Sequence, residues 1–299
     1  MATEVDLGAS SLRSAFDAAY GAANVSAFLR ARLDNRIFTF DEGVRVEGSS
    51  FMQERDPSWP HSHQRFDALG PVMACPNLHS FGRGDGGKRV CMLPHGRTGS
   101  LNQRRSRSPC TIISIGSAGQ YDFEAAMLRR FPACHVHTFD CTLTHKSGEV
   151  PSELKHQLTL HPICIGARNE TKAIRDYHGK PLKEKRSFLT WAAIMNRLGL
   201  HAPPAVLKLD IEGYEWDILP EIVRAPTLLP ESISVELHYQ TQMSLPWYGR
   251  FRTPYEIGAW MDYMFTRGGY VLVDRQDNMF CAHCSEIVVA RIARPTAVE

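Results

Sequence analysis

Three short stretches concentrate the side chains able to do chemistry. The densest is Leu207-Lys208-Leu209-Asp210-Ile211-Glu212-Gly213-Tyr214-Glu215-Trp216, where Lys208, Asp210 and Glu212 occupy alternate positions. Alternate side chains of a strand share a face, so a cation and two carboxylates would line one strand end. Burying three charges costs on the order of several kcal/mol unless they are paired or in use, which marks the row as a site. The second stretch closes on Glu236-Leu237-His238. Unperturbed histidine titrates near neutral pH, so His238 is the expected general base, with Asp210 and Glu236 as its catalytic companions; a histidine satisfied by a strand-end hydrogen bond is the plainer reading. The third is a glycine turn, Gly116-Ser117-Ala118-Gly119-Gln120-Tyr121, followed 24 residues after Gly116 by Asp140.

These residues need strand ends to hold them. Cys110 to Ile115 reads as a buried parallel strand, because Thr and Ile are stiff at χ1 and the run does not alternate. Beyond the turn, Phe123, Ala126, Met127 and Phe131 recur at helical spacing, with Asp122 and Glu124 in the first turn, where the helix dipole favours them. Further strands are expected at His135–Phe139, within Leu158–Ile165, at Ala205–Leu209 and at Ile233–Leu237. Helices are expected over 122–131, roughly 187–199, 214–223 and 254–267. Tyr270–Asp274 and Ser285–Ile292 should close the sheet as an antiparallel pair. Strands alternating with helices predict an α/β, Rossmann-like fold: a mostly parallel seven-stranded sheet with helices on both faces and an antiparallel C-terminal hairpin.

In such a sheet the glycine turn borders a nucleotide crevice. A dinucleotide fingerprint needs three glycines so that a pyrophosphate can approach the backbone, and here Ala118 and Tyr121 stand at the second and third places. That disfavours NAD and favours a cofactor without a pyrophosphate, S-adenosylmethionine. Gly116, Ser117 and Gly119 are then its expected backbone contacts, Asp140 the acceptor of both ribose hydroxyls, and Asp210 the residue at its methyl end. Asp210, Glu212, Glu236 and His238 could alternatively gather a divalent cation, or the same groups could pair with Lys208.

At this point the residues carry a family resemblance. LKLDIEGYEW, at 207–216, resembles the K-x-D-x-E-G-x-E signature of FkbM-type methyltransferases. With CPNLHSFGRGDGGKRVC at 75–91, SIGSAGQYDFEAAM at 114–127, HVHTFD at 135–140 and SVELH at 234–238, the chain resembles the methyltransferase-like protein 24 group of class I methyltransferases over roughly residues 70–292. Residues 70–299 are therefore read as the methyltransferase domain and 1–69 as a helical and irregular extension. The first motif departs from the class I pattern, with Ser114 and Ala118 where an acidic residue and a glycine are usual. The resemblance implies transfer of a methyl group from S-adenosylmethionine to oxygen on a small molecule or glycan, and a disulfide or close packing between Cys75 and Cys91. An NAD(P)-binding oxidoreductase and a non-catalytic binding module on the same fold are the rival readings.

Composition bounds the rest. The 299 residues, 43% hydrophobic, suffice for a globular core, and 34 basic against 32 acidic side chains leave no global field for nucleic acid or an anionic membrane. No stretch approaches the ~20 apolar residues of a membrane span, and the N-terminus lacks a signal-peptide pattern, so a cytoplasmic protein is expected, with the secretory pathway as the alternative. Asn24-Val25-Ser26 and Asn169-Glu170-Thr171 are glycosylation sequons that matter only there. The eight cysteines are scattered, and buried or unpaired thiols are the default; zinc at Cys281-Ala282-His283-Cys284 would need Cys75 and Cys91 brought alongside. Residues 9–33 read as an amphipathic arm, 96–108 as a basic loop, and 168–186, with seven basic and three acidic side chains, as a solvated surface or a cover over the crevice. Tyr239, Met243, Trp247 and Tyr248 are candidate pocket residues. The oligomeric state is left open.

Overall fold

A computed structural model describes Phe66 and residues 69–71, 74–92, 110–143, 148–175, 180–225, 228–238, 254–278, 281 and 284–292. The arm over 9–33, the whole of the basic loop 96–108, and Tyr239, Met243, Trp247 and Tyr248 lie outside these described residues.

The described chain begins with an antiparallel hairpin of β1 (Leu78–Phe81) and β2 (Lys88–Cys91). It continues through β3 (Cys110–Ile115), α1 (Asp122–Arg130), β4 (Cys134–Phe139) and β5 (Leu158–His161). A small three-stranded sheet follows, of β6 (Cys164–Ile165), β7 (Glu170–Lys172) and β8 (Arg186–Leu189), and then α2 (Trp191–Arg197). The remainder is β9 (Val206–Leu209), α3 (Glu215–Val223), β10 (Ser232–His238), α4 (Pro254–Gly268), β11 (Tyr270–Asp277) and β12 (Cys284–Arg291).

Seven strands form the central sheet in the order β11-β12-β10-β9-β3-β4-β5. All neighbours are parallel except β12, which runs antiparallel to both β10 and β11. The expected fold class is therefore present. The chain steps outward from β3 to β5 and then returns to build β9 and β10 on the other side of β3. The crevice between the C-terminal ends of β3 and β9 is thus the topological switch point, where open α/β sheets bind ligands.

Alternation along the strands sorts the two cores. Ile112, Val136 and Val206 pack under α1 with Phe123, Met127 and Leu128, and Phe81 and Val90 of the hairpin join them. Ile113, Ile115, Leu207, Leu209, Ile233 and Val235 face the opposite way, toward α2, α3 and α4. Phe66 and Leu69 are fully buried in that second core. Register aligns Ser114 with Lys208 and Lys208 with Ser234, so a polar row crosses three adjacent strands on the α1 face.

Two local expectations change. The run 158–165 is two strands in different sheets, broken at Pro162, which cannot donate to a ladder. The helix expected from about 187 begins only at Trp191, because Arg186–Leu189 pairs with β6 and β7, and the Thr190 hydroxyl then caps the helix by accepting from the Ala193 amide at 3.2 Å. The default of unpaired thiols is also corrected. All eight cysteines are in disulfides: Cys75–Cys91, Cys110–Cys134, Cys141–Cys164 and Cys281–Cys284. Cross-strand register, which spacing in the sequence does not reveal, sets Cys110 directly beside Cys134.

Candidate functional site

The switch point gathers two sets of groups. The first is the glycine turn. Gly116, Ala118 and Gly119 all have left-handed backbone (φ 80°, 50° and 78°), a conformation that costs glycine little and alanine more. At Gly116 the requirement is also spatial, since a Cβ would stand 1.7 Å from the Asp210 carbonyl oxygen. Asp140, at the end of β4, closes this turn. Its Oδ2 accepts from the Ser117 and Ala118 amides at 2.9 and 2.8 Å and from the Ser117 hydroxyl at 3.3 Å. Its Oδ1 accepts from the amide and hydroxyl of Thr142 at 2.9 and 2.7 Å. A carboxylate offers about four lone-pair sites, so Asp140 is saturated. Ribose hydroxyls could reach it only by displacing the Ser117 or Thr142 hydroxyl, both of which can rotate away without moving backbone. Gly116, Ser117, Gly119 and Asp140 are thus brought together, with Asp140 bonded to the turn itself.

The second set is charged. Lys88, on β2, has no exposed side-chain surface and lies 3.2 Å from Asp210 Oδ2 and 2.9 Å from Glu236 Oε2, and it also bonds to Glu286. Three carboxylates around one ammonium cannot all ionise cheaply. Burial pushes Glu286 up to about 8 against the pull of Lys88. Burial likewise works against the Lys88 charge, but Asp210, Glu286 and Glu236 hold its pKa above the ordinary lysine value. For Asp210, burial is overcome by Lys88 and Lys208, which keep it well below the usual carboxylate range. Glu236 is held from its other oxygen by the Asn278 amide at 2.8 Å.

The end of β9 explains its own dense sequence. Lys208 donates to the Gly116 carbonyl and lies 3.7 Å from Asp210, joining the two sets. Glu212 sits in the left-handed region at φ 57°, an uncommon conformation for a non-glycine residue and one that clusters at functional sites. Fully buried Glu215 secures this turn by accepting from the Ile211 and Gly213 amides at 2.8 and 2.9 Å. The same carboxylate lies 3.3 Å from His238 Nδ1, while His238 Nε2 faces Glu212 at 3.6 Å. Burial would lower the His238 pKa, but Glu215, then Glu212 and Asp210, push it up to about 10. At neutral pH the ring is an imidazolium.

Asp210, Glu236 and His238 therefore occupy one strand-end cluster. The sequence reading did not find Lys88, Glu286 or Asn278, and it gave Glu215 no role. Glu215 had a signal in its place in the E-G-x-E spacing, and Lys88 one in the CPNLHSFGRGDGGKRVC stretch that carries the resemblance; Glu286 and Asn278 had none. Buried Glu124 was also missed: the Ser114 hydroxyl donates to it at 2.6 Å, burial raises its pKa, and its Oε2 has no partner among the described residues.

Asp210, Glu212 and His238 lie close enough to share a metal ion. A cation there would have to displace Lys88 and Lys208 from Asp210 and a proton from His238. The cysteine alternative fails, because the sulfurs of Cys75, Cys91, Cys281 and Cys284 are in disulfides and cannot ligate zinc as thiolates.

A family model described as a methyltransferase domain matches residues 36–291. No curated protein matches the chain. Among solved structures, similarity is found to a fibrillarin/Nop5p complex (14% identity, TM-score 0.37, covering 64% of this chain and 78% of that one). It is also found to the pyocyanin biosynthetic protein PhzM (14%, TM-score 0.30, 64% and 53%). An O-methyltransferase family protein from Burkholderia thailandensis is similar as well (11%, TM-score 0.33, 61% and 51%). The chain spans about half the length of the last two, and likenesses this distant carry no argument about activity.

Proposed function

The chain belongs to the methyltransferase-domain family whose model spans residues 36–291, and from that premise we propose that it transfers a methyl group from S-adenosylmethionine to an oxygen of a small molecule or glycan. The supporting observation is the pairing, at the switch point, of a glycine turn with a carboxylate-rich strand-end cluster joined to it by Lys208. The LKLDIEGYEW stretch supports a position near the FkbM-type enzymes within the family. The cofactor, when bound, supplies an electrophilic sulfonium methyl.

The residues present fit such a group. Gly116 and Gly119 leave the turn without side chains, Ser117 and Thr142 offer hydroxyls that can yield to ribose, and Asp140 remains the acceptor behind them. Asp210, kept ionised by Lys88 and Lys208, lies beside the turn and would orient the methyl end. A hydroxyl acceptor must also lose a proton. With His238 already protonated at rest, half-exposed Glu212 is the group able to receive it: burial raises its pKa, the His238 imidazolium 3.6 Å away pulls it back toward the ionised form, and on accepting the hydroxyl proton it becomes the neutral acid. His238 serves as the base directly only where its own proton has first been lost.

Isothermal titration with S-adenosylmethionine and with NAD tests the cofactor, and NAD binding alone would sink the reading. A metabolite and oligosaccharide screen with methyl-labelled cofactor then tests the acceptor class. Cofactor binding without turnover on any hydroxyl compound would favour the non-catalytic module. Turnover unaffected by chelators would dispose of the metal alternative.

A further inference from the structure

Outside the methyl-transfer site, the cysteines and one sequon converge on a modification. Every one of the eight cysteines has a partner, with Cα–Cα separations of 5.8, 4.5, 4.9 and 5.3 Å, all within the span a disulfide bridges. One close pair can arise by packing alone. Four pairs that consume every thiol, three of them joining residues 16 to 24 positions apart, are the pattern of a chain that folds where thiols oxidise, and such bonds are rare in a reducing cytosol.

In the Asn169-Glu170-Thr171 sequon, Asn169 immediately precedes β7 and Glu170 and Thr171 are that strand's first two residues; all three are exposed. The Asn169 Oδ1 accepts from the Thr190 amide at 2.9 Å, which fixes the side chain while Nδ2, the atom that would be modified, makes no hydrogen bond among the described residues. A substituent on Nδ2 leaves that acceptor bond intact.

We propose that this chain matures in an oxidising, glycosylating compartment, in which its four disulfides form and Asn169 carries an N-linked oligosaccharide. Each disulfide forms as two thiols give up two protons and two electrons to a protein-disulfide oxidant, which is reduced to its dithiol. At Asn169, Nδ2 loses a proton and bonds to the anomeric carbon of an oligosaccharide carried on a polyprenyl diphosphate; the bond to the diphosphate breaks and its electron pair leaves with that group. The compartment differs from the cytoplasmic expectation, and the proposal does not depend on which acceptor is methylated. It also bears on the site: Cys91 ends the strand that carries Lys88, and its bond to Cys75 staples that hairpin.

The test uses the full-length coding sequence expressed in cultured animal cells. Lysate and medium are treated with peptide-N-glycosidase, and thiols are counted by maleimide labelling before and after reduction. The expected result is a glycosidase-sensitive mobility shift from which N169Q and Thr171→Ala each remove one glycan step, whereas Thr171→Ser retains it. Label should enter only after reduction, at eight sites. Comparison of the two Thr171 variants keeps the result readable if N169Q folds poorly. Identical mobility of wild type and Thr171→Ala would overturn the glycan assignment, and eight thiols labelled without reduction would overturn the compartment.

Discussion

The two halves of the site are built by opposite means. The glycine turn is local: Asp140 reaches back only 23 residues to the Ser117 amide, and neutral amides and hydroxyls do the holding. The lysine cage is assembled across the whole chain, with Lys88 meeting Glu236 across 148 positions and Glu286 across 198. A local device of backbone donors can be saturated and still yield to a ligand, because hydroxyls rotate cheaply. A buried cage of charges has no such slack, since removing one member leaves the others uncompensated.

The sharpest way to break this contrast is at Lys88. Lys88→Met should destabilise the protein by about 3–5 kcal/mol, measured by chemical denaturation, and adding Glu286→Gln should restore part of the loss. If Lys88→Met unfolds at the wild-type denaturant concentration, the cage contributes nothing to stability.

On the local side, the largest effect belongs to Gly116→Ala. With φ at 80° and the Asp210 carbonyl where the methyl must go, the cost should be about 2–4 kcal/mol. Titration calorimetry should also show lost cofactor binding, because the turn must move away from β9.

Asp140→Asn is milder. It keeps one acceptor and removes the other, so about 1–3 kcal/mol of stability should go. The loss should appear in thermal unfolding, because Asp140 holds the turn, and, under the proposed function, in S-adenosylmethionine affinity as well. An affinity loss with an unchanged melting temperature would show that the turn does not need Asp140.

The smallest effect per unit is the pH slope. His238 is raised above its unfolded value near 6.5, so its stabilisation is complete below that pH and is lost as pH rises toward about 10. Glu286 acts in the same direction lower down, between about 4.5 and 8. Each group contributes at most ~1.4 kcal/mol per pH unit. Denaturation curves from pH 6 to 10 should therefore fall, and His238→Gln should flatten the upper part of that fall. A wild-type curve level across the range would contradict the imidazolium.

Sequence alone determined the α/β alternation, the glycine turn with its acidic partner, and the row Lys208-Asp210-Glu212 on one strand face. All three rest on short-range rules: apolar periodicity, the backbone freedom of glycine, and the two-residue repeat of a strand. Glu236 and His238 were legible for the same reason, as alternate residues at a strand end. Tertiary structure decided what those groups touch. Lys88 reads as one lysine in a glycine-punctuated segment, and only the packing of its hairpin over β10 and β12 makes it the hub of the cage. The charge of His238 was set the same way: a lone histidine suggests a base near neutrality, but Glu215, already buried by its own turn, holds the proton on the ring. The disulfides belong with these, because two cysteines pair by the distance between their strands, and sheet order and register are fixed only when the whole chain has packed.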